Sequence, residues 1–475
     1  MVFNSLHFLV FFPVVALVHF ALPRRVQWVW LLVCSYYFYM CWNAQYALLI
    51  ALSTVVTYAC ALAVERMTGK GARRAVLATG LTVNLGILGF FKYYNFFTDT
   101  ISRAFSMLGV SLHIPAFDVL LPVGISFYTF QALGYMIDVY RREIPAERNL
   151  FRYALFVSFF PQLVAGPIER SGNLMRQVNE THAFDYCRVM EGLLIMLLGF
   201  FEKLIVADRA SIYVNSVFDQ WHQAAGWQIV LAVVVFAFQI YGDFSGYSHI
   251  AIGAAKVLGF ELMGNFRQPY FACSVREFWR RWHISLSTWF RDYLYIPLGG
   301  SRVSPLRCRL NLMITFTISG LWHGSALNYV VWGALNGALQ VAEGFFPADK
   351  KPAAGLRRFG RMLRTFVLID LTWLFFRATA LSTALHMIIR AVTRFAAPAA
   401  ATGFSWIQAL VLAAGIAVLL GIDALHERGV NLTKLQARLP MPIRGLLSLV
   451  GILLIVAFGV WGSQYDAQAF IYFQF

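Results

Sequence analysis

His323 is an ionisable side chain in an otherwise apolar stretch of the chain. Residues 319–337 read SGLWHGSALNYVVWGALNG, and no Lys, Arg, Asp or Glu falls between Arg309 and Glu343. If this stretch lies in a membrane, the charged form is disfavoured by at least about 2.5 kcal/mol, so the imidazole is neutral. A neutral imidazole can take a proton from a hydroxyl group, which makes His323 a candidate general base. The alternative is a structural histidine bonded to a carbonyl group of a neighbouring helix.

The residues around this histidine include aromatic, amide and small side chains. Trp322 precedes it and can line a substrate tunnel, although buried tryptophans more often belong to a core. Asn328 and Asn336 offer amide donors and acceptors to a substrate. Residues 333–337 form a G-x-x-x-G pattern, which is typical of close helix packing. We expect the tryptophan and the two asparagines to contribute to substrate binding.

A second group of candidate residues lies in residues 278–300, FWRRWHISLSTWFRDYLYIPLGG. His283 has a more polar sequence context than the first histidine and is a second candidate for proton transfer. Arg280 and Arg281 can bind the phosphates of a cytoplasmic donor, or else phospholipid headgroups. Asp292 can orient a base or form an ion pair with the neighbouring arginine. This stretch is therefore predicted to bind the donor.

Two further stretches carry weaker signals. Residues 238–253, FQIYGDFSGYSHIAIG, place Asp243 and His249 in an apolar span, where ionisable residues are costly and mark functional sites. Residues 161–170, PQLVAGPIER, contain two prolines that cannot continue a regular helix. We expect a kink or a re-entrant loop there.

The composition assigns the chain to the membrane proteins. Of its 475 residues, 59% are hydrophobic and 13% are charged, whereas a soluble domain has about 45–50% apolar and about 25% charged residues. The formal charge of +16 fits cytoplasmic loops rich in Lys and Arg, and the sequence has no nucleic-acid-binding module. It also has no Walker A loop, no G-x-S-x-G, no H-E-x-x-H and no paired Cys ligands. We expect no metal and no nucleic-acid partner.

We predict an all-α, polytopic membrane protein in which residues 1–475 form one domain. A spanning helix needs about 20 mostly apolar residues, and alternating strand segments are absent from the sequence. Two of the apolar stretches, 227–259 and 310–346, are long enough for two short helices each, or for a tilted and a broken helix. We expect roughly eleven spans, with interfacial and re-entrant helices besides. The apolar stretches are 3–22, 26–42, 46–64, 75–97, 115–140, 151–168, 189–207, 227–259, 310–346, 365–390, 404–425 and 446–463.

The distribution of basic residues orients the predicted spans. The first basic residues, at 24–25, follow the first apolar run, which is the wrong order for a cleaved signal peptide. The basic groups at 24–25, 66–74 and 141–148 are separated by two spans each, so all three face the cytoplasm and the N-terminus lies outside. Residues 261–309, where arginines and aromatic residues alternate, are too polar to span. They are predicted to form one or two amphipathic helices at the cytoplasmic face.

Together these motifs resemble those of the membrane-bound O-acyltransferase family. WRRWHISLSTWFRDYLYIPLGG, followed about twenty residues later by SGLWHGSALNYVVWGALNG, is similar to the paired histidine motifs of the family. The opening MVFNSLHFLVFFPVVALVHFALP, PQLVAGPIER, YGDFSGYS and the terminal FIYFQF are similar to its bacterial branch, so the resemblance runs from end to end. In alginate-type members Asp usually follows YxDFSGYS, whereas this chain has His249, which puts a carboxylate role at that position in doubt.

The resemblance implies a helical bundle with a tunnel through the membrane, in which His323 matches the active-site histidine and His283 matches the second histidine. It implies acetyl-coenzyme A, an acyl carrier or another acyl thioester as the cytoplasmic donor substrate, with no bound cofactor. The acceptor is a hydroxyl group of an exported polysaccharide, with an alginate-type polymer as the lead, and a periplasmic partner protein passes the acetyl group on. The implied location is the bacterial inner membrane.

Two alternatives remain open from the sequence. Relatives in the same family transfer D-alanine or acylate peptidoglycan, and the histidine motifs do not distinguish these acceptors. A polytopic transporter or flippase, from another class, has a similar number of helices and intramembrane charges. Transporters often have repeated halves, and this sequence has no internal repeat. Acetyl transfer from acetyl-coenzyme A is the reaction that separates the enzyme from the transporter.

Overall fold

Helices account for all regular secondary structure in the part of the chain that the computed structural model describes, which is residues 1–112, 115, 122–164, 166–346 and 355–461. The predicted all-α class is therefore confirmed. The chain divides into two compact units. The first is Met1–Asp185 with Leu258–Leu262, and the second is Tyr186–Val257 with Met263–Phe475. The single membrane domain stays a prediction.

The first unit is organised around its third helix. The helices are α1 Leu6–Ala21, α2 Gln27–Met40, α3 Tyr46–Arg66, α4 Lys70–Met107, α5 Ile125–Arg141, α6 Leu150–Ser158, α7 Phe160–Leu163 and α8 Ser171–Asn179. α3 packs against α4, α5 and α6, and a 2.7 Å hydrogen bond joins the hydroxyl groups of Thr57 and Tyr153 between α3 and α6. The predicted interruption in PQLVAGPIER is confirmed, because α7 ends after four residues.

The second unit contains both candidate histidines. Its helices are α9 Tyr186–Phe201, α10 Asp208–Asp219, α11 Gly226–Leu258, α12 Val275–Arg281, α13 Ile284–Phe290, α14 Pro305–His323, α15 Leu327–Glu343, α16 Gly355–Arg377, α17 Leu381–Thr393, α18 Trp406–Glu427, α19 Leu432–Ala437 and α20 Met441–Phe458. Of the two long apolar stretches, 227–259 is the single helix α11, and 310–346 is broken between α14 and α15. The amphipathic helices expected in 261–309 are α12 and α13, and π-helical turns follow α9 and α13.

Five of the described helices, α3, α4, α11, α18 and α20, are long and apolar enough to cross a membrane. α1 and α17 are shorter apolar helices. The chain is thus a multi-pass membrane protein, and the number of about eleven spans stays a prediction. The terminal FIYFQF lies outside the described residues.

Glycines let α14 and α15 pack in close contact as a hairpin. A Cβ atom on Gly320 would lie 2.2 Å from the carbonyl oxygen of Tyr329, and one on Gly333 would lie 2.3 Å from that of Phe316. No side chain fits at these distances, so only glycine permits the contact. The packing role predicted for 333–337 is confirmed.

A second pair of glycine contacts joins α9 to α11. A Cβ atom on Gly199 would lie 2.5 Å from the carbonyl oxygen of Gly246, and one on Gly192 would lie 2.7 Å from that of Gly253. Seven residues, or about two helical turns, separate the glycines on each helix, so the two helices remain in contact along their length. This contact brings the π-helical turn Glu202–Ala207 against the middle of α11.

Candidate active site

The structure brings the two candidate histidines together. His323 is the last residue of α14, and His283 immediately precedes α13. The centroids of their rings lie 6.3 Å apart. Both residues are buried, with exposed fractions of 4% for His323 and 1% for His283. A small reacting group can therefore contact both imidazoles.

The backbone at His283 adopts a left-handed conformation, with φ at 43°. Residues other than glycine rarely adopt it, and such strain is concentrated at functional sites. Asn265 holds the turn, because its carbonyl oxygen accepts the N–H of Ile284 at 2.9 Å and its Oδ1 accepts Ser285 Oγ at 2.6 Å. Asn265 Nδ2 donates to Ser248 Oγ at 3.0 Å. We did not predict Asn265, because only the fold brings it beside the histidine.

Aromatic rings enclose His323. The ring centroids of Trp322 and Trp332 lie 5.0 Å from that of His323, and the centroid of Phe376 lies 5.5 Å away. Trp322 is also 6.1 Å from His283 by the same measure, so it lies beside both histidines. Burial lowers the pKa of His283 to about 3, and its imidazole is therefore neutral at pH 7.

A cavity of about 500 Å³ leads to His283. The residues that line it include Arg276, Arg280 and Arg291. Arg276 and Arg280 are four residues apart and lie on one face of α12. The lining hydroxyl and amide groups are Ser287, Thr288, Thr315, Ser319 and Gln340. A basic wall next to a neutral imidazole fits a ligand with an anionic part and a reactive part. Within the described ranges, no group of three or more His, Cys, Asp or Glu side chains can hold a metal ion.

Arg281 and Asp292, which were predicted to bind substrate, are engaged in ion pairs and are not part of the cavity wall. The Arg281 guanidinium lies 2.6 Å from Glu277 Oε1 and 2.7 Å from Glu427 Oε2. Asp292 Oδ1 lies 2.7 Å from Arg291 Nε. Arg281 therefore ties α12 to the end of α18, and Asp292 holds an arginine of the cavity.

The two predicted asparagines are buried between helices of the second unit. Asn328 Nδ2 donates to the carbonyl oxygens of Phe375 at 3.1 Å and Ala378 at 2.8 Å, so it fixes α15 to the end of α16. Asn336 Oδ1 accepts Trp279 Nε1 at 3.2 Å. Trp279 lines the cavity, and Asn336 thus positions one of its aromatic walls.

Several helix ends gather around α12. Glu343, the last residue of α15, accepts the backbone N–H groups of residues 275–276 at 2.8 and 3.1 Å. Glu427, the last residue of α18, binds Arg281 and also Arg358 Nη2, at 2.8 Å, near the start of α16. These ends therefore lie on the same side of the second unit as α12.

Asp243 and His249 belong to a buried ionic network, which we call the α11 network. Lys203 Nζ lies 2.6 Å from Asp243 Oδ1 and 2.7 Å from Asp208 Oδ1. Glu202 Oε2 lies 2.8 Å from His249 Nδ1. We did not predict Glu202 and Lys203. The sequence did contain a signal for them, since they are adjacent charged residues in an apolar run. The network holds the π-helical turn against α11.

The fold and the site define a multi-pass helical membrane protein with two buried histidines beside a basic cavity. Residues 141–348, which include both histidines, match the sequence profile of MBOAT, the membrane-bound O-acyltransferase family. The chain is also 40% identical over 395 residues to the probable alginate O-acetylase AlgI of Pseudomonas putida, covering 82% of this chain and 79% of that protein. The chain belongs to the membrane-bound O-acyltransferase family. It is an O-acyltransferase, as the resemblance predicted.

The names of two further relatives give two different acceptors, alginate and peptidoglycan. The probable alginate O-acetylase AlgI of Pseudomonas syringae is 41% identical over 393 residues, which are 82% of this chain and 74% of that protein. The peptidoglycan O-acetyltransferase of Helicobacter pylori is 36% identical over 386 residues, which are 76% of this chain and 72% of that protein. The family assignment therefore extends well beyond the matched histidine region.

Proposed function

We propose that the chain transfers an acetyl group from acetyl-coenzyme A, or from another acyl thioester, to a hydroxyl group of an exported polysaccharide. The observation that carries the proposal is the buried histidine pair beside a cavity with three arginines. The planar guanidinium group of arginine matches the geometry of phosphate oxygens, and acetyl-coenzyme A carries phosphate groups. An alginate-type polymer is the lead acceptor, because relatives over 82% of the chain are named alginate O-acetylases.

In the proposed reaction, His323 is the general base. It accepts the proton of the acceptor hydroxyl while the hydroxyl oxygen attacks the carbonyl carbon of the thioester. A C–O bond forms, the C–S bond breaks, and the leaving thiolate takes the proton from the imidazolium. The products are an O-acetyl ester and a free thiol. His283, which faces the cavity, can donate a hydrogen bond to the oxyanion that develops on the carbonyl.

We assign donor binding to the arginines of the cavity wall, with Arg280 as the central one. Arg281 and Asp292 support that wall through their ion pairs. Trp322 lies beside both histidines and keeps water from the reacting atoms. Asn336 acts through Trp279, and the other asparagine acts by fixing α15 to α16. A tunnel that opens on the opposite side of the membrane is proposed to bring the acceptor to His323.

Purified protein in detergent is expected to transfer labelled acetyl from acetyl-coenzyme A to a short uronic-acid oligosaccharide and to release free thiol. The double change Arg276→Ala with Arg280→Ala is expected to raise the KM for acetyl-coenzyme A at least about tenfold, since one hydrogen bond to a charged group contributes about 1.5–3 kcal/mol. The value of kcat is expected to change little, because neither arginine reaches the reacting carbonyl. The measurement is initial rate against donor concentration.

The matched control is Arg302→Ala with Arg307→Ala, which removes two exposed arginines outside the cavity wall. Its KM is expected to equal that of the wild type. An unchanged KM for acetyl-coenzyme A in the Arg276 and Arg280 double variant would contradict donor binding at the cavity. A wild-type protein that moves a polymer across vesicles without releasing thiol would support the transporter alternative.

Peptidoglycan is the second candidate acceptor, because the relative from Helicobacter pylori is named a peptidoglycan O-acetyltransferase. The same assay distinguishes the two acceptors when a muropeptide replaces the uronic-acid oligosaccharide. We further propose that in the cell a periplasmic partner protein passes the acetyl group on to the polymer, whereas a short oligosaccharide can also accept it directly. Transfer to the oligosaccharide that is faster with periplasmic extract than without it would support this step, and equal rates would contradict it.

We propose that the protein lies in the bacterial inner membrane with its N-terminus outside and α12 at the cytoplasmic side. The basic groups at 24–25, 66–74 and 141–148 support this orientation. The gathering of Arg276, Arg281 and Arg358 on one side of the second unit agrees with it.

Cysteine labelling tests the orientation in a variant without the six native cysteines. Gln45→Cys, in the exposed connection between α2 and α3, is expected to react with an impermeant maleimide in spheroplasts. Ser304→Cys, exposed at the start of α14, is expected to react only with a permeant maleimide. Reaction of the residue-304 variant with the impermeant reagent would overturn the orientation and the cytoplasmic donor site.

A further inference from the structure

A long apolar groove lies in the second unit between α9, α18 and α20. Its volume is about 590 Å³, within the about 300–1,000 Å³ of small-molecule sites. Leu194, Phe201, Val418, Leu447 and Phe458 are among the residues that line it. Among the residues that the structure describes, none lines both this groove and the cavity that leads to His283. The groove is therefore a separate binding space within the apolar depth of the helices.

One end of the groove is polar. His426, in the last turn of α18, and Thr433 and Gln436, on α19, complete its lining. Glu427 follows His426 directly and pairs with Arg281. This end of the groove thus lies on the α12 side of the second unit, where a membrane-spanning helix meets the headgroups.

Basic residues surround the polar end of the groove. Arg428, Lys434 and Arg438 are exposed there, and residues 428–461 contain no Asp or Glu. Basic residues beside an apolar groove on the cytoplasmic side attract anionic headgroups, at about 1 kcal/mol for each Lys or Arg. The chemistry of the site is therefore an apolar chain that ends in a negatively charged group.

We propose that this groove binds one anionic diacyl phospholipid. One acyl chain lies between α9, α18 and α20, the ester region lies at Thr433 and Gln436, and the phosphate lies near Lys434 and Arg438. The aliphatic wall accepts a fatty acyl chain, and the net positive charge at its end selects an anionic headgroup over a zwitterionic one. The lipid would fill the space between α18 and α20 and so stabilise their packing against α9.

The test is lipid binding by the delipidated, full-length protein in detergent, followed by native mass spectrometry. Phosphatidylglycerol is expected to bind as one molecule per protein, more tightly than phosphatidylcholine with the same acyl chains. Lys434→Gln with Arg438→Gln is expected to weaken phosphatidylglycerol binding about 30-fold and phosphatidylcholine binding much less, because the choline cation offsets the attraction of the phosphate. Ala414→Leu, which narrows the groove, is expected to weaken the binding of both lipids.

The matched control is Arg24→Gln with Arg25→Gln, two exposed arginines of the first unit, which should bind phosphatidylglycerol like the wild type. Equal affinity of the wild type for both lipids would overturn the proposal, as would full phosphatidylglycerol preference in the Lys434 and Arg438 double variant. Undecaprenyl phosphate that displaces phosphatidylglycerol at a lower concentration would assign the groove to a polyprenyl chain and overturn the diacyl assignment.

Discussion

The change His323→Ala is expected to abolish acetyl transfer and to leave a folded protein in the membrane. The proposed role of the imidazole is to remove the proton of the acceptor hydroxyl, and general base catalysis contributes about 10²–10⁴-fold to a rate. The aromatic shell at 5.0–5.5 Å keeps water from replacing the lost base. The measurement is the rate of thiol release with saturating acetyl-coenzyme A, together with the amount of protein in the membrane fraction.

A second variant separates the loss of a base from the loss of packing. His323→Gln keeps much of the side-chain volume and can still hydrogen-bond, but it cannot accept a proton at neutral pH, so it is expected to be as inactive as the alanine variant. His222→Ala removes an exposed histidine of the same unit and is expected to keep full activity. Transfer by His323→Gln at the wild-type rate would assign the histidine a structural role.

The sequence context was sufficient to propose the two histidines as site residues. A single ionisable residue in a 33-residue interval without other charges is costly in a membrane, so residue type and context together indicated a function for His323. What could not be predicted is that His283, forty residues earlier, approaches it to 6.3 Å. That distance depends on the left-handed turn at His283 and on Asn265, which is close to the histidine only in the folded chain.

The arginines illustrate where residue type alone is insufficient. Arg280 and Arg281 are adjacent and chemically identical, and both were predicted to bind the donor. On a helix, adjacent residues point about 100° apart, so Arg280 lines the cavity while Arg281 faces two glutamates. Arg276 lies four residues before Arg280. On a helix over 275–281 this spacing places both arginines on one face, but no helix was predicted at these bounds. Glu427 is 146 residues from Arg281, and no local pattern joins them.

The length of an apolar stretch indicates where a span lies, but it does not show whether the helix is continuous. The length of 310–346 indicates two short helices or a broken one, and the structure has the break at Gly324, directly after His323. The position of the break was not predicted. The sequence did not show which of the two long stretches is interrupted, because both are long enough for two short helices. In the residues that the structure describes, five helices meet the length and apolarity of a membrane span. The position of a shorter and more polar helix such as α12 depends on contacts with other helices, here through Glu343 and Glu427.

The α11 network is expected to govern the stability of the second unit. Its cation, Lys203, has an exposed side-chain fraction of 3%, equal to that of Asp243, and Asp208 has 10%. Removing one partner of a buried ion pair costs about 3–5 kcal/mol, because the remaining charge has no compensation. Lys203→Met is therefore expected to lose a large part of a stability of about 5–15 kcal/mol. The measurement is the midpoint of thermal unfolding in detergent, followed by size-exclusion chromatography.

We attribute the expected loss of stability in Lys203→Met to the uncompensated charges, and not to lost contact area. A variant that also removes the opposite charges distinguishes these two causes. Lys203→Met combined with Asp208→Asn and Asp243→Asn removes all three charges, so it is expected to regain much of the lost stability. The matched control is Lys256→Met on α11, the helix that carries Asp243. Its pair with Glu191 is more exposed, at 18% and 19%, and its loss should cost at most about 1 kcal/mol. If the triple variant were less stable than Lys203→Met alone, the lysine would act through packing and hydrogen bonds, and the uncompensated-charge argument would fail.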